Sequence, residues 1–327
     1  MSSLLKGEYI NMNNIIKKLP IPICGLALGL AALGNLLQSY SETVRYICGI
    51  ASGIIIISFL LKCILYTDMI KEDMKNPIMA SVFGTFPMAL MLLSVYVKPW
   101  INTSAKYLWL IAILIHGALI VYFTLKFMIK PQLPKVFASY FIVYVGIVVA
   151  SVTAPAYEML WLGNAFFWFG FITLIGLLVL VTLRYIKHPA APEPARPLIC
   201  IYAAPISLCI VGYVQSVTPK AFGFLIAMYG AACIAYVFSL IKAIGYVKLP
   251  FYPSYAAFTF PFVISALASK QTMACAAKLG NPLPILKYVV LVETIIAVAA
   301  VSYTLIRYMM FIFMSPKAKK EQSAASA

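Results

Sequence analysis

The chain has 327 residues, of which 63% are hydrophobic and 10% charged, and its formal net charge is +16. So little polar surface excludes an ordinary soluble domain of this length, and no nucleic-acid partner is expected. The sequence has no phosphate-binding loop, catalytic triad or metal-ligand spacing, so no enzyme, cofactor or metal is expected either.

Residues 1–19 are mixed in character, without a cleavable signal, and read as a cytoplasmic segment. Ten apolar runs follow, at 20–37, 43–65, 78–97, 106–127, 136–156, 159–185, 198–217, 220–242, 252–270 and 285–311. Each is 18–27 residues long, enough to span a hydrocarbon core of about 30 Å. The expected fold is therefore an all-α polytopic membrane protein with ten transmembrane helices over residues 20–311. Residues 312–327 form a basic tail facing the inner leaflet. The seven cysteines are scattered, mostly in these runs, and read as small packing residues.

If both termini are cytoplasmic, 18 of the 25 Lys and Arg residues fall on the cytoplasmic side. The positive-inside rule therefore orients both termini inward. The outer face also stays positive once its acids are subtracted. Positive potential at both mouths concentrates anions, although ordinary interfacial lysines give the same count.

A proline opens every odd run: Pro20, Pro77, Pro134, Pro197 and Pro253, spaced by 57, 57, 63 and 56 residues. Such a period suggests five helix hairpins on one plan. The odd runs also carry the breakers Pro87, Pro205 and Pro261, or Gly25, Gly29 and Gly146 in the two without an internal proline. A mid-helix proline frees the carbonyl four residues back, and such breaks need shelter from lipid. The odd helices are therefore expected to form an inner ring around a pore, kinked at these six residues, with the even helices outside. Phe260, beside Pro261, stands where it would plug that pore.

The stretch Leu19-Pro20-Ile21-Pro22, followed by Gly25 to Asn35, closely resembles the first helix of the tellurite-resistance/dicarboxylate transporter family. Ala257-Phe258-Thr259-Phe260-Pro261 resembles the ninth-helix motif of that family, which includes the plant slow anion channels. The resemblance implies a homotrimer with one pore per subunit, closed by a phenylalanine that maps onto Phe260. It implies passive flow of small anions such as chloride or nitrate or, in some members, transport of dicarboxylates such as malate. The long regulatory tails of the plant channels have no counterpart, so the chain is expected to be a bacterial or archaeal cell-membrane protein.

Anions in such a pore would have to meet half-helix N-termini, mouth cations or hydroxyls such as those of Ser139, Ser207 and Thr259. Two ionisable groups sit within even runs, His116 and Glu293. Each could be an inter-helix hydrogen-bonding group or a proton relay. The leading expectation is an anion-selective channel. The alternative is a carrier for tellurite or C4-dicarboxylates, coupled to protons through His116 or Glu293. The odd runs hold no buried arginine that could act as a fixed carrier ligand, which favours the channel.

Overall fold

The computed structural model describes residues 12–313, so the outermost parts of the two terminal segments lie outside the described residues. Among the described residues every regular element is helical. After α1 (Met12–Lys18) come α2 (Ile23–Leu37) and α3 (Glu42–Leu65), then the short polar α4 (Thr67–Asp73). The next pair consists of α5 (Pro77–Val82) with α6 (Thr85–Ile101), and α7 (Thr103–Phe123), which ends in a π-turn. Then follow α8 (Tyr140–Tyr144) with α9 (Val148–Thr153), and α10 (Leu160–Lys187). A 3₁₀ stretch, Glu193–Tyr202, leads into α11 (Ala203–Ser216), which is followed by α12 (Phe222–Tyr246). Another, Pro253–Phe258, precedes α13 (Phe260–Lys278), and α14 (Leu286–Phe313) closes the described chain.

Among the described residues, seven helical stretches are long and apolar enough to cross a membrane. The three expected runs outside that set are α2, the α8–α9 segment and α13, all of them odd. Helix α2 has 15 residues, about 22 Å at 1.5 Å each, which is short for a bilayer core. The α8–α9 segment is interrupted around Gly146, and α13 is cut off from its 3₁₀ lead-in at Thr259. The interruption shortens the α8–α9 segment, whereas α13 keeps 19 residues and is instead less apolar, with Lys270, Gln271 and Lys278 within it.

Burial divides the long stretches into two kinds. Pro77–Ile101 and Glu193–Ser216 are 67% and 83% buried over their most apolar windows, whereas the other five are 28–39% buried. Helices α3, α7, α10, α12 and α14 expose large apolar side chains, among them Ile54, Leu114, Ile172, Ile234 and Ile295. Nearly all of α2 and most of α13 are buried. Contacts among the buried segments close on themselves. Helix α2 packs on α6, α6 on α9, α9 on α11, α11 on α13, and α13 back on α2. Each exposed helix packs against the buried segment that precedes it in the chain.

The prolines explain the breaks. Pro87 removes the N–H that would bond the Phe83 carbonyl, and the break falls there, between α5 and α6. The Phe83 carbonyl is instead taken by Phe86 N at 2.9 Å, in a tighter turn. Pro205 is the third residue of α11, just past its 3₁₀ lead-in. Pro261 is the second residue of α13, where a proline's missing N–H is no loss. The expected mid-helix kink is thus a helix start, with Thr259 at φ −96°, ψ −89° as the hinge. Gly146 sits in the break between α8 and α9, where a Cβ would come within 2.7 Å of Met88 Sδ. Gly25 and Gly29 differ from the expected kinks, because α2 runs unbroken through both. They allow close approach instead. A Cβ on Gly29 would lie 2.5 Å from Thr259 Cβ, and one on Gly25 would lie 3.0 Å from Ala256 Cβ.

Candidate functional site

The closed set of buried segments encloses two cavities, one above the other. The first, about 50 Å³, lies among the N-terminal halves of these segments, at the end of the bundle that holds Met12 and Phe313. Its wall is apolar apart from Thr85 and Ser254 and includes Gly25, Met88, Gly146, Pro205 and Pro261. Ala257, whose carbonyl Pro261 leaves without a helical partner, lines it too. The second cavity, about 320 Å³, lies among the C-terminal halves. Asn35, Gln38, Arg45, Gln215 and Gln271 bring amide and guanidinium groups to its wall, unlike that of the first cavity, although aliphatic side chains make up most of the rest. Every buried segment contributes to both cavities.

Two residues line both cavities: Phe260 and Leu208. Phe260 is buried, and its place follows from the hinge at Thr259. That residue turns the chain out of its 3₁₀ path, so Phe260 begins a new helix. Thr259 Oγ1 lies 2.7 Å from the Ala256 carbonyl and 3.0 Å from the Gly25 carbonyl, anchoring the hinge to α2. The close approach at Gly29 makes this anchoring possible. Leu208 comes from α11, one turn after Pro205. Its signal in the sequence is only that three-residue spacing, which puts it on the same helix face as Pro205. Phe258, two residues before Phe260, lines neither cavity and packs its ring against Tyr255 at 4.9 Å.

The three hydroxyls expected to meet an anion line neither cavity. Ser139 accepts a hydrogen bond from Ser81 at 2.7 Å. Ser207 donates to the Ala203 carbonyl at 2.8 Å and lies 3.1 Å from Ser265 Oγ. Thr259 serves the hinge. All three tie neighbouring segments together.

His116 is fully buried on α7 and stands against the break in the α8–α9 segment. Its Nε2 is 2.9 Å from the Val143 carbonyl. A carbonyl only accepts, so the proton is on Nε2 and the imidazole supplies a donor to an interrupted helix. Glu293 on α14 accepts from Ser269 Oγ of α13 at 2.5 Å, and Tyr229 OH lies 3.1 Å from the same serine. Neither His116 nor Glu293 lines a cavity. Lysines hold the ends of the buried segments. Lys62 donates to the Leu19 carbonyl at 2.5 Å, Lys98 to Ala156, and Lys270 to Leu36 at 3.3 Å and Ser39 Oγ at 2.7 Å.

Arg45 is the site residue that sequence reasoning did not single out. It counted as one outer-mouth charge among seven, yet its side chain turns inward to the polar cavity. The available signal was an arginine in the first turn of an apolar helix, where a cation opposes the helix dipole.

Broken, buried segments thus surround two stacked cavities. The sequence profile of the voltage-dependent anion channel family matches residues 18–309, nearly the whole described chain. The chain belongs to that family. It is the same family that the first-helix and ninth-helix motifs resemble. An uncharacterized transporter of Methanocaldococcus jannaschii is 25% identical over 272 residues, covering 71% of this chain and 77% of that protein. Together with the apolar helices, membership makes this a multi-pass membrane protein of an anion-transporting family.

Proposed function

We propose that this protein is an anion-selective channel whose path runs through the two stacked cavities and is closed by Phe260 against Leu208. The observation that carries this reading is that Phe260 belongs to both cavities at once. A buried ring between an apolar chamber and a polar one forms a constriction from which water is excluded. An ion must shed hydration to pass, and such constrictions gate by dewetting. In this reading the chain crosses the membrane ten times as five hairpins. The short or broken α2, α8–α9 and α13 make the three crossings beyond the seven long stretches, sheltered by the helices around them. Both termini face the cytoplasm, as the basic bias favours, and the protein works as a homotrimer with one path per subunit, as the family resemblance implies.

The proton-coupled carrier has less support. His116 is engaged with the Val143 carbonyl, Glu293 with Ser269, and both stand off the path. In the channel reading the permeant species are small monovalent anions such as chloride and nitrate.

The test is electrical recording from purified protein in a planar bilayer under a salt gradient. Reversal should follow the anion equilibrium potential for chloride and nitrate. Reversal near the cation potential would overturn the reading, and so would an absence of current together with malate uptake driven by a pH gradient.

A further inference from the structure

We infer that the polar cavity beyond Phe260 contains an anion-binding site built on Arg45, which loads a small anion next to the gate. The inference rests on the channel reading and adds to it a place where the anion stops.

Arg45 is held in a position that local forces oppose. It sits in the first turn of α3, whose N-cap is Ser41, so its charge meets the positive end of the helix dipole. It is only 9% exposed, which adds a desolvation penalty. Compensation from the protein is thin. Glu42, the one carboxylate near it, reaches Nη1 at 3.4 Å and keeps 55% of its own side chain in solvent. The contact from Nε to Asn35 Oδ1 is also long, at 3.4 Å. The Tyr96 ring lies 4.6 Å from the guanidinium, and its hydroxyl is fixed to the Ala31 carbonyl at 2.7 Å. Arg45 is thus propped by an aromatic face and an amide while much of its charge remains unneutralised.

The cavity completes the site. Its wall includes no Asp or Glu among the described residues, and Glu42 is not part of it. Gln215 and Gln271 join Arg45 and Asn35, bringing side-chain amides from α11 and α13, while Gln38 at the end of α2 lines the wall with its Nε2 given to Glu42 Oε1 at 2.7 Å. Amide N–H groups donate to an anion, and their dipoles can rotate to do so. A guanidinium offers a planar fork that matches two oxygens of a planar oxyanion, while a spherical halide takes one contact at a time. The expected ligand class is therefore a small planar oxyanion, such as nitrate or a short carboxylate, ahead of chloride. Such a group would supply the charge that Glu42 supplies only in part, and from there one step past Phe260 leads into the apolar chamber.

The test uses the full chain with Phe260→Ala as the parent, so that current is measurable, and nitrate or chloride as the probe. Arg45→Gln should raise the half-saturating nitrate concentration about tenfold, the loss expected for one charge-assisted contact. Reversal should stay on the anion side. Lys278→Gln removes the same charge from an exposed site at that end of the bundle and should change it less than about twofold, as expected of a screened surface charge. Arg45→Lys keeps the charge and loses the fork, so it should lose the preference for nitrate over chloride while still passing both. Should Arg45→Gln fail to assemble, Arg45→Lys carries the test through that preference. If current stays anion-selective while Arg45→Gln matches Lys278→Gln, or Arg45→Lys keeps the preference, the site is wrong and the channel reading stands. A parent that passes no anions overturns both.

Discussion

Gly29 is where the hinge before Phe260 can be disturbed most cleanly. A Cβ there would lie 2.5 Å from Thr259 Cβ, 2.6 Å from Thr259 Oγ1 and 3.1 Å from Phe260 N. Carbon atoms in good contact are about 3.5–4.0 Å apart, so α2 and the hinge must separate by about 1 Å. Overpacking a core by one methyl costs about 1–3 kcal/mol. Replacing a helical glycine by alanine also gains about 1 kcal/mol of helix propensity, which would mask part of the effect. Gly176→Ala is the matched control, since that glycine lies within α10 and a Cβ there meets nothing within 4 Å. Both variants share the propensity gain, so their difference isolates the clash. Unfolding of the purified proteins in detergent should therefore rank Gly29→Ala below Gly176→Ala by about 1–3 kcal/mol. The displaced Thr259 should also shift Phe260 and alter the gated current. Equal stability of the two variants would refute the close packing of α2 on the hinge.

Three other outcomes follow from the same geometry. His116→Phe removes the donor to the Val143 carbonyl and should lower stability by about 1–3 kcal/mol. Its unitary conductance should equal that of the wild type, and loss of transport in well-assembled protein would return His116 to the path. Glu293→Gln should leave anion flux indifferent to an imposed pH gradient, as in the wild type. A gradient-driven flux that this substitution abolishes would establish proton coupling. In a background without reactive cysteines, Asn102→Cys should be labelled by an impermeant reagent in intact cells and Asn76→Cys should be protected. The opposite pattern would invert the orientation drawn from the basic residues.

The broad plan was legible because it rests on long-range regularities. Apolar runs of membrane length identify the chain as helical and membrane-embedded, and prolines confined to alternate runs distinguish the buried segments from the exposed ones. The detail at each breaker was less legible. Pro261 can kink a helix or open one, and the choice depends on whether Thr259 finds partners outside its own segment, which it does in the Gly25 carbonyl. Gly25 and Gly29 read as weak points, but glycine also permits close approach, and the position of α13 decides between the two roles. Ser139, Ser207 and Thr259 were sensible anion ligands by residue type. In the structure each is engaged with a neighbouring segment and lines neither cavity, a placement that residue type alone does not give. Arg45 escaped notice because its inward turn depends on Tyr96 and Asn35, contributed by α6 and α2, and no local pattern encodes that contact.

The most direct test of the account compares Phe260→Ala with Phe258→Ala in single-channel recordings of protein that assembles normally. Phe260 lines both cavities, whereas Phe258 lines neither and packs on Tyr255. Truncating the ring at 260 should join the two chambers, let water in and raise anion conductance strongly, with reversal still at the anion potential. Phe260→Leu should raise it less, because an apolar plug remains. Phe258→Ala should leave conductance near the wild-type value. If the two alanine variants conduct alike, or if Phe260→Ala only lowers the current, then Phe260 is a packing residue and the passage is closed elsewhere.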